Sequence, residues 1–328
     1  MKVIIPVAGE GTRLRPHTFT TPKALLQIAG KPILGHIIDQ IIDLEISEMI
    51  FVTGPQGHKI ERFVRETYTI KTTFVEQRTL YGLGYAIHLG IVSTDEDLLI
   101  ILGDTIVEID WKGMITAGRN SLAVKEVPNP RAFGVVETQG DRIIRLVEKP
   151  ANPPTNLAVV GVYYIRDVKE FKKCTDEIID RGVRTHGEIQ LTDAFDLLLK
   201  KGSSLHTFPT LGWYDCGRKE SMLETNRFIL DRQRANVERA GNTIVPPVHI
   251  AEDAVISKST IGPYVSIGKN CRISNSTIRD SILADGVQVD WSVIEDSLIG
   301  NNAELHSATG VFNLGDLSAV SGKNRKSN

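Results

Sequence analysis

The chain has 328 residues, 41% hydrophobic and 24% charged, a composition typical of a folded protein with room for two domains. Its 38 lysines and arginines nearly balance 40 aspartates and glutamates, which argues against the basic field that binds a nucleic-acid backbone. The sequence shows no signal-peptide pattern and no apolar stretch long enough to span a membrane, so we expect a cytoplasmic protein without nucleic-acid or membrane partners.

Up to about residue 235, short β-branched segments alternate with segments of helical periodicity. In chain order they are KVIIPV (strand), PILGHIIDQIIDLEI (helix), EMIFVTG (strand), HKIERFVRETY (helix), TTFVEQ (strand), GLGYAIHLGIVS (helix) and LLIILGD (strand). This alternation predicts a parallel sheet with crossover helices, an α/β architecture. Because ligands of such sheets bind at the carboxyl ends of the strands, we expect a site at that edge.

A second pattern begins near residue 244, where an aliphatic residue recurs every five to six positions. The repeat positions are Ile250, Ile256, Ile261, Ile267, Ile273, Ile278, Ile282, Val289, Ile294 and Ile299. A hexapeptide period with glycine or small polar residues after the aliphatic one is typical of a parallel β-helix. Resemblance to hexapeptide-repeat proteins implies the left-handed form.

The two patterns predict the domain organisation. Residues 1–235 form the α/β domain, which ends in a helical linker over 218–236 before two adjacent prolines break the pattern. Residues 244–316 form the β-helix, and residues 317–328 form a flexible tail. Because the open ends of a β-helix expose strand edges that usually need covering, we expect a homo-oligomer.

The first strand runs into a turn that combines glycines with positive charges. Gly9 and Gly11 leave backbone amides free to approach an anion, and Arg13 and Lys23 suit a polyphosphate. The spacing matches neither the dinucleotide fingerprint nor the Walker pattern, so a tight strand-to-helix turn remains the alternative. Arg15 is equally compatible with a plain surface charge.

A series of segments, in the same order along the chain, resembles the sugar-1-phosphate nucleotidylyltransferases. They are GEGTRLRPHT, PKALLQIAGKP, EQ followed by YGLGYA, GDT, FGV, EKP, GVYY, GEIQLTD and WYDCG. The segments WYDCG, NRFIL and NLGD are most similar to the long form of glucose-1-phosphate thymidylyltransferase, which carries a β-helix. The resemblance implies a Rossmann-like nucleotidyltransferase domain with a mostly parallel mixed sheet, followed by a small left-handed parallel β-helix.

The resemblance also implies a reaction. A nucleotidyl group passes from a nucleoside triphosphate, dTTP or UTP, to a hexose-1-phosphate, and pyrophosphate is released. Glucose-1-phosphate is the acceptor that the resemblance favours most. Such transfers depend on positioning and charge neutralisation more than on acid–base chemistry. By resemblance, Arg13 and Lys23 are the catalytic cations. The backbone that holds the triphosphate is placed by resemblance at Ala8, Gly9, Gly11 and Thr12.

Two carboxylates and one amide complete the nucleotide side of the implied site. Asp104 and Asp215 would hold Mg²⁺, which takes one or two protein carboxylates together with phosphate oxygens. Taken alone, an aspartate at a strand end is more often a turn residue. Gln77 can pair with the edge of a pyrimidine, and Gly82 leaves space for a flat base. The alternative for Gln77 is an exposed polar residue after a strand.

The sugar side of the site rests on the resemblance. The residues it places there are Gly134, Glu148, Lys149, Val159, Tyr163 and His186. Glu148 would accept hydrogen bonds from sugar hydroxyls and Lys149 would meet the phosphate, although a surface ion pair is the plain alternative. His186 stands where similar enzymes have an arginine, and Arg184 is a substitute for that charge.

Three other functions stay open at this point. Guanylyl transfer to mannose-1-phosphate fits the same N-terminal segments. Acyl transfer fits the hexapeptide repeat, with His249 and His306 as candidate bases. A regulatory relative that binds nucleotide sugars is disfavoured, because such relatives are expected to lose the cations and carboxylates. Three widely spaced cysteines, Cys174, Cys216 and Cys271, predict reduced thiols.

Overall fold

The computed structural model describes residues 1–233 and 238–322. Up to residue 233 the helices and strands are β1 (Lys2–Val7), β2 (Gln27–Ile28), β3 (Lys31–Pro32), α1 (Ile33–Ile41), β4 (Glu48–Thr53), α2 (Gly57–Thr67), β5 (Thr72–Glu76), α3 (Leu83–Gly90), β6 (Leu98–Ile101), β7 (Thr105–Glu108), α4 (Trp111–Thr116), β8 (Ser121–Glu126), β9 (Gly134–Gln139), β10 (Arg142–Glu148), β11 (Leu157–Ile165), α5 (Val168–Asp180), α6 (Leu191–Lys200), β12 (Leu205–Pro209), β13 (Gly212–Asp215) and α7 (Lys219–Gln233). Short 3-10 turns lie at Thr12–Leu14, His17–Phe19, Lys23–Leu25 and Pro130–Ala132.

After residue 238 the described elements are all strands. They are β14 (Thr243–Ile244), β15 (Val248–Ile250), β16 (Val255–Ser257), β17 (Thr260–Ile261), β18 (Val265–Ile267), β19 (Arg272–Ser274), β20 (Thr277–Ile278), β21 (Ile282–Leu283), β22 (Gln288–Asp290), β23 (Val293–Ile299), β24 (Glu304–His306), β25 (Thr309–Leu314) and β26 (Ala319–Ser321).

The chain forms two compact units that do not follow chain order. The sheet unit contains Met1–Glu10 and Ile37–Trp213, and the stack unit contains Gly11–His36 and Tyr214–Asn328. The predicted boundary near residue 235 therefore differs from the observed division, which also separates the segment 11–36 from the first strand. Periodicity along the sequence reports neighbours in the chain, so it could not show where this segment packs.

A nine-stranded sheet organises the sheet unit, in the order β5-β4-β1-β6-β11-β8-β12-β10-β9. The pairings among β5, β4, β1 and β6 are parallel, and the helices between these strands confirm the predicted alternation. β1 has the bounds of the predicted KVIIPV strand.

The sheet is mixed, as expected, and its parallel pairings are those among β5, β4, β1 and β6 and the separate pair of β8 and β12. β11 is antiparallel to both β6 and β8, and β10 is antiparallel to β9 and β12. Two residues join β9 to β10, which is far shorter than the crossover that parallel strands need.

The core of the sheet unit lies where the helices pack on the sheet. Phe171 of α5 and Phe195 of α6 are fully buried, with ring centroids 4.9 Å apart, and the Tyr163 ring of β11 stacks on Phe195 at 5.2 Å. Aromatic side chains of this size contribute most of the apolar area that such a core removes from water. The helices are thus fixed on the face of the sheet, which leaves its strand ends free for a site.

Parallel pairing runs through the repeat region. We call residues 243–321 the strand stack. Strands of successive coils pair in register, as in the columns that contain Ile261, Ile278 and Ile294 and that contain Ile273, Val289 and Leu305. These aliphatic side chains are buried, so the repeat positions form the core of the stack. Mostly parallel short strands with a buried aliphatic column are consistent with a β-helix.

The ends of the predicted linker and tail need correction. α7 confirms the helical linker as far as Gln233, and residues 234–236 of the prediction lie outside the described residues. The tail was predicted to begin at residue 317, which is wrong, because Ala319–Ser321 pairs with Glu304–His306 and extends the stack. Its last part, 323–328, lies outside the described residues.

Two further features concern the described residues as a whole. None of their helices combines the length and the apolarity that a membrane crossing requires. Cys174, Cys216 and Cys271 are buried and form no disulfide among the described residues, and the Cys216 thiol donates a hydrogen bond to Thr225 Oγ1 at 3.8 Å.

Candidate active site

The carboxyl ends of the parallel strands meet at one edge of the sheet. The backbone N–H of Gln77 donates to the carbonyl of Thr53 at 2.8 Å, and the N–H of Gly103 donates to the carbonyl of Pro6 at 3.3 Å. These bonds hold the turns after β4, β5 and β6 beside the end of β1. The predicted site residues that follow these strands in the sheet unit are Ala8, Gly9, Gln77 and Asp104.

Two glycines at this edge differ in what surrounds them. A Cβ on Gly103 would lie 2.3 Å from Val7 Cγ1, so packing alone requires glycine there. A Cβ on Gly9 would meet no described atom within 4 Å. The open space around Gly9 fits a backbone that a ligand can approach, as the sequence predicts for this turn.

Gln77 is buried, with 3% of its surface exposed, so the reading of it as an exposed polar residue is wrong. Its side-chain amide donates to the Gly82 carbonyl at 3.4 Å. Gly82 has φ +112°, and a Cβ there would lie 2.6 Å from the Ile189 carbonyl oxygen. The glycine is therefore required by backbone conformation and packing, a reason that the sequence did not reveal.

Glu148 is the centre of a polar cluster in the sheet unit. Its side chain is 10% exposed, with Oε1 3.2 Å from the Lys149 ammonium and Oε2 accepting from Thr192 Oγ1 at 3.1 Å. A Cβ on Gly134 would lie 3.1 Å from Glu148 Oε2. The carboxylate is thus held in one orientation by two donors.

Val159 and Tyr163, the other β11 residues of the predicted sugar pocket, are core residues. Val159 pairs with Val124 of β8 and is 7% exposed. Tyr163 is 4% exposed, and burial, together with the nearby Glu148 carboxylate, raises the pKa of its phenol above the ordinary value. Tyr163 therefore lies behind the Glu148 cluster in the interior, and Val159 is a core residue of the same strand.

His186 lies at the tip of a tight turn, between Thr185 and Glu188, which exchange backbone hydrogen bonds. His186 has φ +55° and Gly187 has φ +85°, the left-handed pair that two-residue hairpin turns require. Histidine is among the non-glycine residues that tolerate this conformation. Its Nε2–H donates to the Glu148 carbonyl at 3.4 Å, which places His186 in the Glu148 cluster.

Arg184 lies next to the same turn. Its guanidinium lies over the Tyr81 ring, 5.1 Å from the centroid, and donates to the Gly187 carbonyl at 3.2 Å. A cation remains beside His186, as the sequence comparison with similar enzymes suggested.

Sequence reasoning missed two members of the Glu148 cluster. Thr192 binds Glu148, and Asp193 Oδ1 accepts from Thr185 Oγ1 at 3.0 Å, whereas Asp193 Oδ2 is buried with no hydrogen-bond partner among the described residues. Burial raises the pKa of Asp193 above its ordinary value. The GEIQLTD segment, which ends in Thr192 and Asp193, could have pointed to both residues. Sequence reasoning assigned a role only to His186, the residue before that segment.

The rest of the glycine-rich turn belongs to the stack unit. Gly11 has φ +60°, its carbonyl accepts from Thr18 Oγ1 at 2.9 Å, and a Cβ there would lie 3.1 Å from Lys23 Cβ. A 3-10 turn follows over Thr12–Leu14. The segment after β1 is therefore not the tight strand-to-helix turn of the alternative interpretation. It is a longer loop in which Lys23 packs beside Gly11.

Arg13 and Asp215 lie close together in the stack unit. A Cβ on Gly217 would be 2.8 Å from Asp215 Oδ2 and 3.2 Å from Arg13 Nη2. Residue 217 therefore leaves space for both charged groups. A predicted catalytic cation and a predicted metal carboxylate thus meet although 200 residues separate them in the chain.

The two predicted metal carboxylates belong to different units. Asp104 follows β6 and accepts a hydrogen bond from Thr105 Oγ1 at 3.3 Å, and Asp215 ends β13. The described residues contain no group of three or more acidic, histidine or cysteine side chains arranged for a metal. Carboxylates such as these are the ligands that Mg²⁺ takes, one or two at a time, when phosphates and water supply its other ligands.

Two family models together match nearly the whole chain. Residues 2–232 match the nucleotidyl transferase family, and residues 244–325 match the GMPPB C-terminal domain.

Individual relatives extend over nearly the whole chain. A glucose-1-phosphate thymidylyltransferase from Streptomyces antibioticus is 31% identical, over 98% of this chain and 99% of that protein. The bifunctional protein GlmU of Methanocaldococcus jannaschii is 33% identical, over 96% of this chain and 81% of that protein. A crystal structure of UDP-glucose pyrophosphorylase complexed with UDP-glucose has a TM-score of 0.63 and 26% identity, covering 70% of this chain and 98% of that one.

Proposed function

The chain belongs to the nucleotidyl transferase family and is a sugar-1-phosphate nucleotidyltransferase, and from this we propose that it joins dTTP or UTP to a hexose-1-phosphate. Glucose-1-phosphate is the first candidate acceptor, and the products are a nucleotide sugar and pyrophosphate. The membership favours an enzyme over the regulatory relative. The similarity to a glucose-1-phosphate thymidylyltransferase and to a UDP-glucose pyrophosphorylase supports a pyrimidine nucleoside triphosphate as the substrate.

The proposed chemistry is attack of the sugar phosphate oxygen on the α-phosphorus. The nucleophile is already an anion, so the protein has to align two anions and neutralise their charge. We assign this work to Arg13 and Lys23, with the triphosphate held along the backbone of Ala8, Gly9, Gly11 and Thr12. Support comes from the space around Gly9 and from the loop that returns Lys23 to Gly11.

Members of this family generally use a divalent metal ion. Asp104 and Asp215 are the residues that would hold Mg²⁺, which would supply positive charge to the phosphate oxygens. The Arg13 guanidinium beside Asp215 adds a fixed positive charge from the chain itself. This arrangement suits a reaction in which negative charge increases on the leaving pyrophosphate.

Base and sugar are assigned to the sheet unit. Gln77 and Gly82 would read the pyrimidine, supported by the burial of the Gln77 amide. Glu148 would accept from sugar hydroxyls, and Lys149, with His186, would face the sugar phosphate. Gly134 keeps the Glu148 carboxylate uncovered, while Val159 and Tyr163 support it from the core.

The observation that carries this proposal is the edge where β1, β4, β5 and β6 end, since it gathers the predicted nucleotide residues of the sheet unit. The test is a pyrophosphate-release screen with Mg²⁺, in which dTTP, UTP, GTP, CTP and ATP are each combined with glucose-, mannose-, galactose- and glucosamine-1-phosphate. We expect dTTP or UTP with glucose-1-phosphate to give the highest kcat/KM. A maximum with GTP and mannose-1-phosphate would favour the guanylyl alternative.

Acyl transfer by the strand stack, the alternative that the hexapeptide repeat leaves open, is a second candidate. Its candidate bases are His249 and His306. His249 packs against Gly30, and burial lowers its pKa, so it is poorly exposed to a substrate. Turnover of acetyl-CoA with glucosamine-1-phosphate would show this activity, and its absence at high enzyme concentration would remove it.

We also propose that the strand stack is a left-handed β-helix used for assembly into a homo-oligomer. The most exposed large apolar side chains of the stack are Leu317 (77%), Trp291 (66%), Val255 (62%) and Val311 (59%). Apolar groups of this kind often mark an interface. Light scattering should report a mass above the 36.2 kDa of one chain, and a monomer at working concentration would contradict the proposal.

A further inference from the structure

The loop segment, residues 16–30, has little regular structure of its own. It contains two short 3-10 turns, at His17–Phe19 and Lys23–Leu25, and the two-residue strand β2. Short turns hold few backbone hydrogen bonds, so contacts with other elements must fix such a segment. In the stack unit these contacts come from the strand stack and α7.

Two side-chain hydrogen bonds tie the start of the loop segment to the last coil of the stack. The buried His17 ring donates from Nε2 to Asn313 Oδ1 at 2.8 Å, and Thr20 Oγ1 donates to Asp316 Oδ2 at 2.6 Å. Asn313 and Asp316 are the first and last residues of NLGD, a segment that the family resemblance marks but that the proposed chemistry leaves without a role.

Close packing adds to these bonds. Gly315, also in NLGD, is buried, and a Cβ there would lie 2.9 Å from Pro16 Cβ. Asp316 Oδ1 accepts from the Asn301 backbone N–H at 2.7 Å, so the carboxylate that holds Thr20 is itself fixed by the preceding coil. The last coil therefore presents a rigid surface to the loop.

The far end of the loop segment is held in the same way. Gln27 donates to Asp285 Oδ2 at 3.2 Å, and the Ala29 N–H donates to Asn226 Oδ1 at 3.0 Å. Asn226 of α7 is fully buried, and its Oδ1 also accepts from Ser266 Oγ of the stack at 2.6 Å. Contacts at both ends thus fix the segment along several coils.

From these contacts we propose that the strand stack positions the catalytic cations, with the NLGD segment at 313–316 as the part that sets the loop. Arg13 lies three residues before Pro16, and Lys23 lies between the anchors at Thr20 and Gln27. A shift of the loop would move both cations, and small displacements of positioning groups cost large factors in rate. The inference rests on the proposed function, because it takes Arg13 and Lys23 as the groups that act on the triphosphate.

The test uses the full chain with Asn313→Ala, which removes the acceptor of the His17 bond on the exposed side of the stack. We expect kcat for pyrophosphate release to fall about 5- to 20-fold, while the thermal midpoint stays within about 2 °C and KM for the sugar phosphate is unchanged. Asn313→Asp keeps an acceptor oxygen and should restore most of the rate. Gly315→Ala, which pushes on Pro16, should lower kcat by a similar factor.

The matched control is Ser274→Ala, which removes a hydrogen bond of 2.5 Å to Asp290 inside the stack, away from the loop segment. It should leave kcat within twofold of the wild type. An equal loss of kcat in Ser274→Ala and Asn313→Ala would mean that the stack acts only through stability, and wild-type kinetics in both Asn313→Ala and Gly315→Ala would likewise overturn the inference.

Hydrogen–deuterium exchange separates this inference from the proposed function. If the wild type releases no pyrophosphate from any substrate pair, the proposed function fails, but exchange of the amides in residues 11–32 still reports the anchoring. Faster exchange there in Asn313→Ala than in Ser274→Ala supports the positioning role of the stack. Equal exchange in the two variants contradicts it.

Discussion

The sheet unit and the stack unit hold their candidate site residues by different means. In the sheet unit, regular strands end at a common edge, and backbone hydrogen bonds such as that from Gln77 to Thr53 fix the turns that follow. In the stack unit, the loop with Arg13 and Lys23 is irregular and is held by side chains from the far end of the chain, such as Asn313. Placement by strand ends is a local property, whereas placement by the stack needs the whole unit.

This difference predicts which changes remain local. A substitution at the sheet edge should affect the group that is removed and little else. A substitution in the stack should also reach the loop, because the loop has few hydrogen bonds of its own. Variants of both units can therefore test whether the effects of a substitution stay local in the sheet unit and spread in the stack unit.

The largest effect is expected from Lys23→Ala. If Lys23 neutralises charge in the transition state, kcat should fall about 10²- to 10³-fold, the usual loss for one electrostatic group of an active site. The fold should be retained, with an unchanged far-UV circular dichroism spectrum. Arg15→Ala is the matched control, since Arg15 is an exposed cation of the same turn that lies over the Phe19 ring. Near-normal turnover in Lys23→Ala would remove this residue from the site.

Truncation of one isoleucine in each core compares the two units directly. Ile278 of the stack and Ile100 of the sheet are both fully buried, so each change to alanine should cost about 2–5 kcal/mol of unfolding free energy. We expect Ile278→Ala to increase hydrogen exchange in residues 11–32 and Ile100→Ala to leave that segment protected. The reverse pattern, measured at equal loss of stability, would break the contrast between the units.

Sequence predicted what repeats along the chain. The β-branched and helical segments up to residue 103 and the aliphatic columns around Ile261 and Ile278 follow from local patterns, and the structure confirms them. The alternation was expected to continue to about residue 235, and the antiparallel pairings of β11 and β10 were not predicted, because residue spacing does not show the direction in which a strand pairs. The packing of the loop segment on the stack was not predicted either, since the bond from His17 to Asn313 joins residues 296 positions apart.

The candidate site shows the same limit. Motif resemblance named Glu148 and His186, and the structure brings them together. The resemblance did not name Thr192, which donates to the Glu148 carboxylate, or Asp193, whose own carboxylate is partly buried. Neither feature can be inferred from the spacing of residues along the chain.

Glu48 offers a purely structural test within the sheet unit. This buried carboxylate accepts from Thr73 Oγ1 at 2.6 Å and from Lys2 at 3.0 Å, and these bonds lower its pKa to about 2 from 4.5. A lowered pKa gives stability that is complete above the unfolded value and is lost as the pH falls from 4.5 towards 2. Glu48→Gln should cost about 2 kcal/mol at pH 7 in urea denaturation and should flatten that acid slope.

The rate of Glu48→Gln should be close to that of the wild type at 25 °C, because Glu48 lies at the start of β4, away from the carboxyl edge. A large loss of kcat with unchanged stability would contradict the view that effects in the sheet unit stay local.

The smallest effect concerns the buried His17 and the half-buried His249 of the stack unit. Burial lowers the pKa of His17 and of His249 below 6.5, and for His17 this outweighs the opposing effects of Asn313 and Asp316. The unfolded chain therefore binds protons first, so stability should be complete above pH 6.5 and should fall as the pH drops below 6.5. The slope cannot exceed about 1.4 kcal/mol per pH unit for each histidine. His17→Gln should reduce the slope in urea denaturation. If the protein instead becomes more stable as the pH falls below 6.5, the histidines gain protons on folding. That result would contradict the interpretation of His17 as a buried, neutral side chain that anchors the loop.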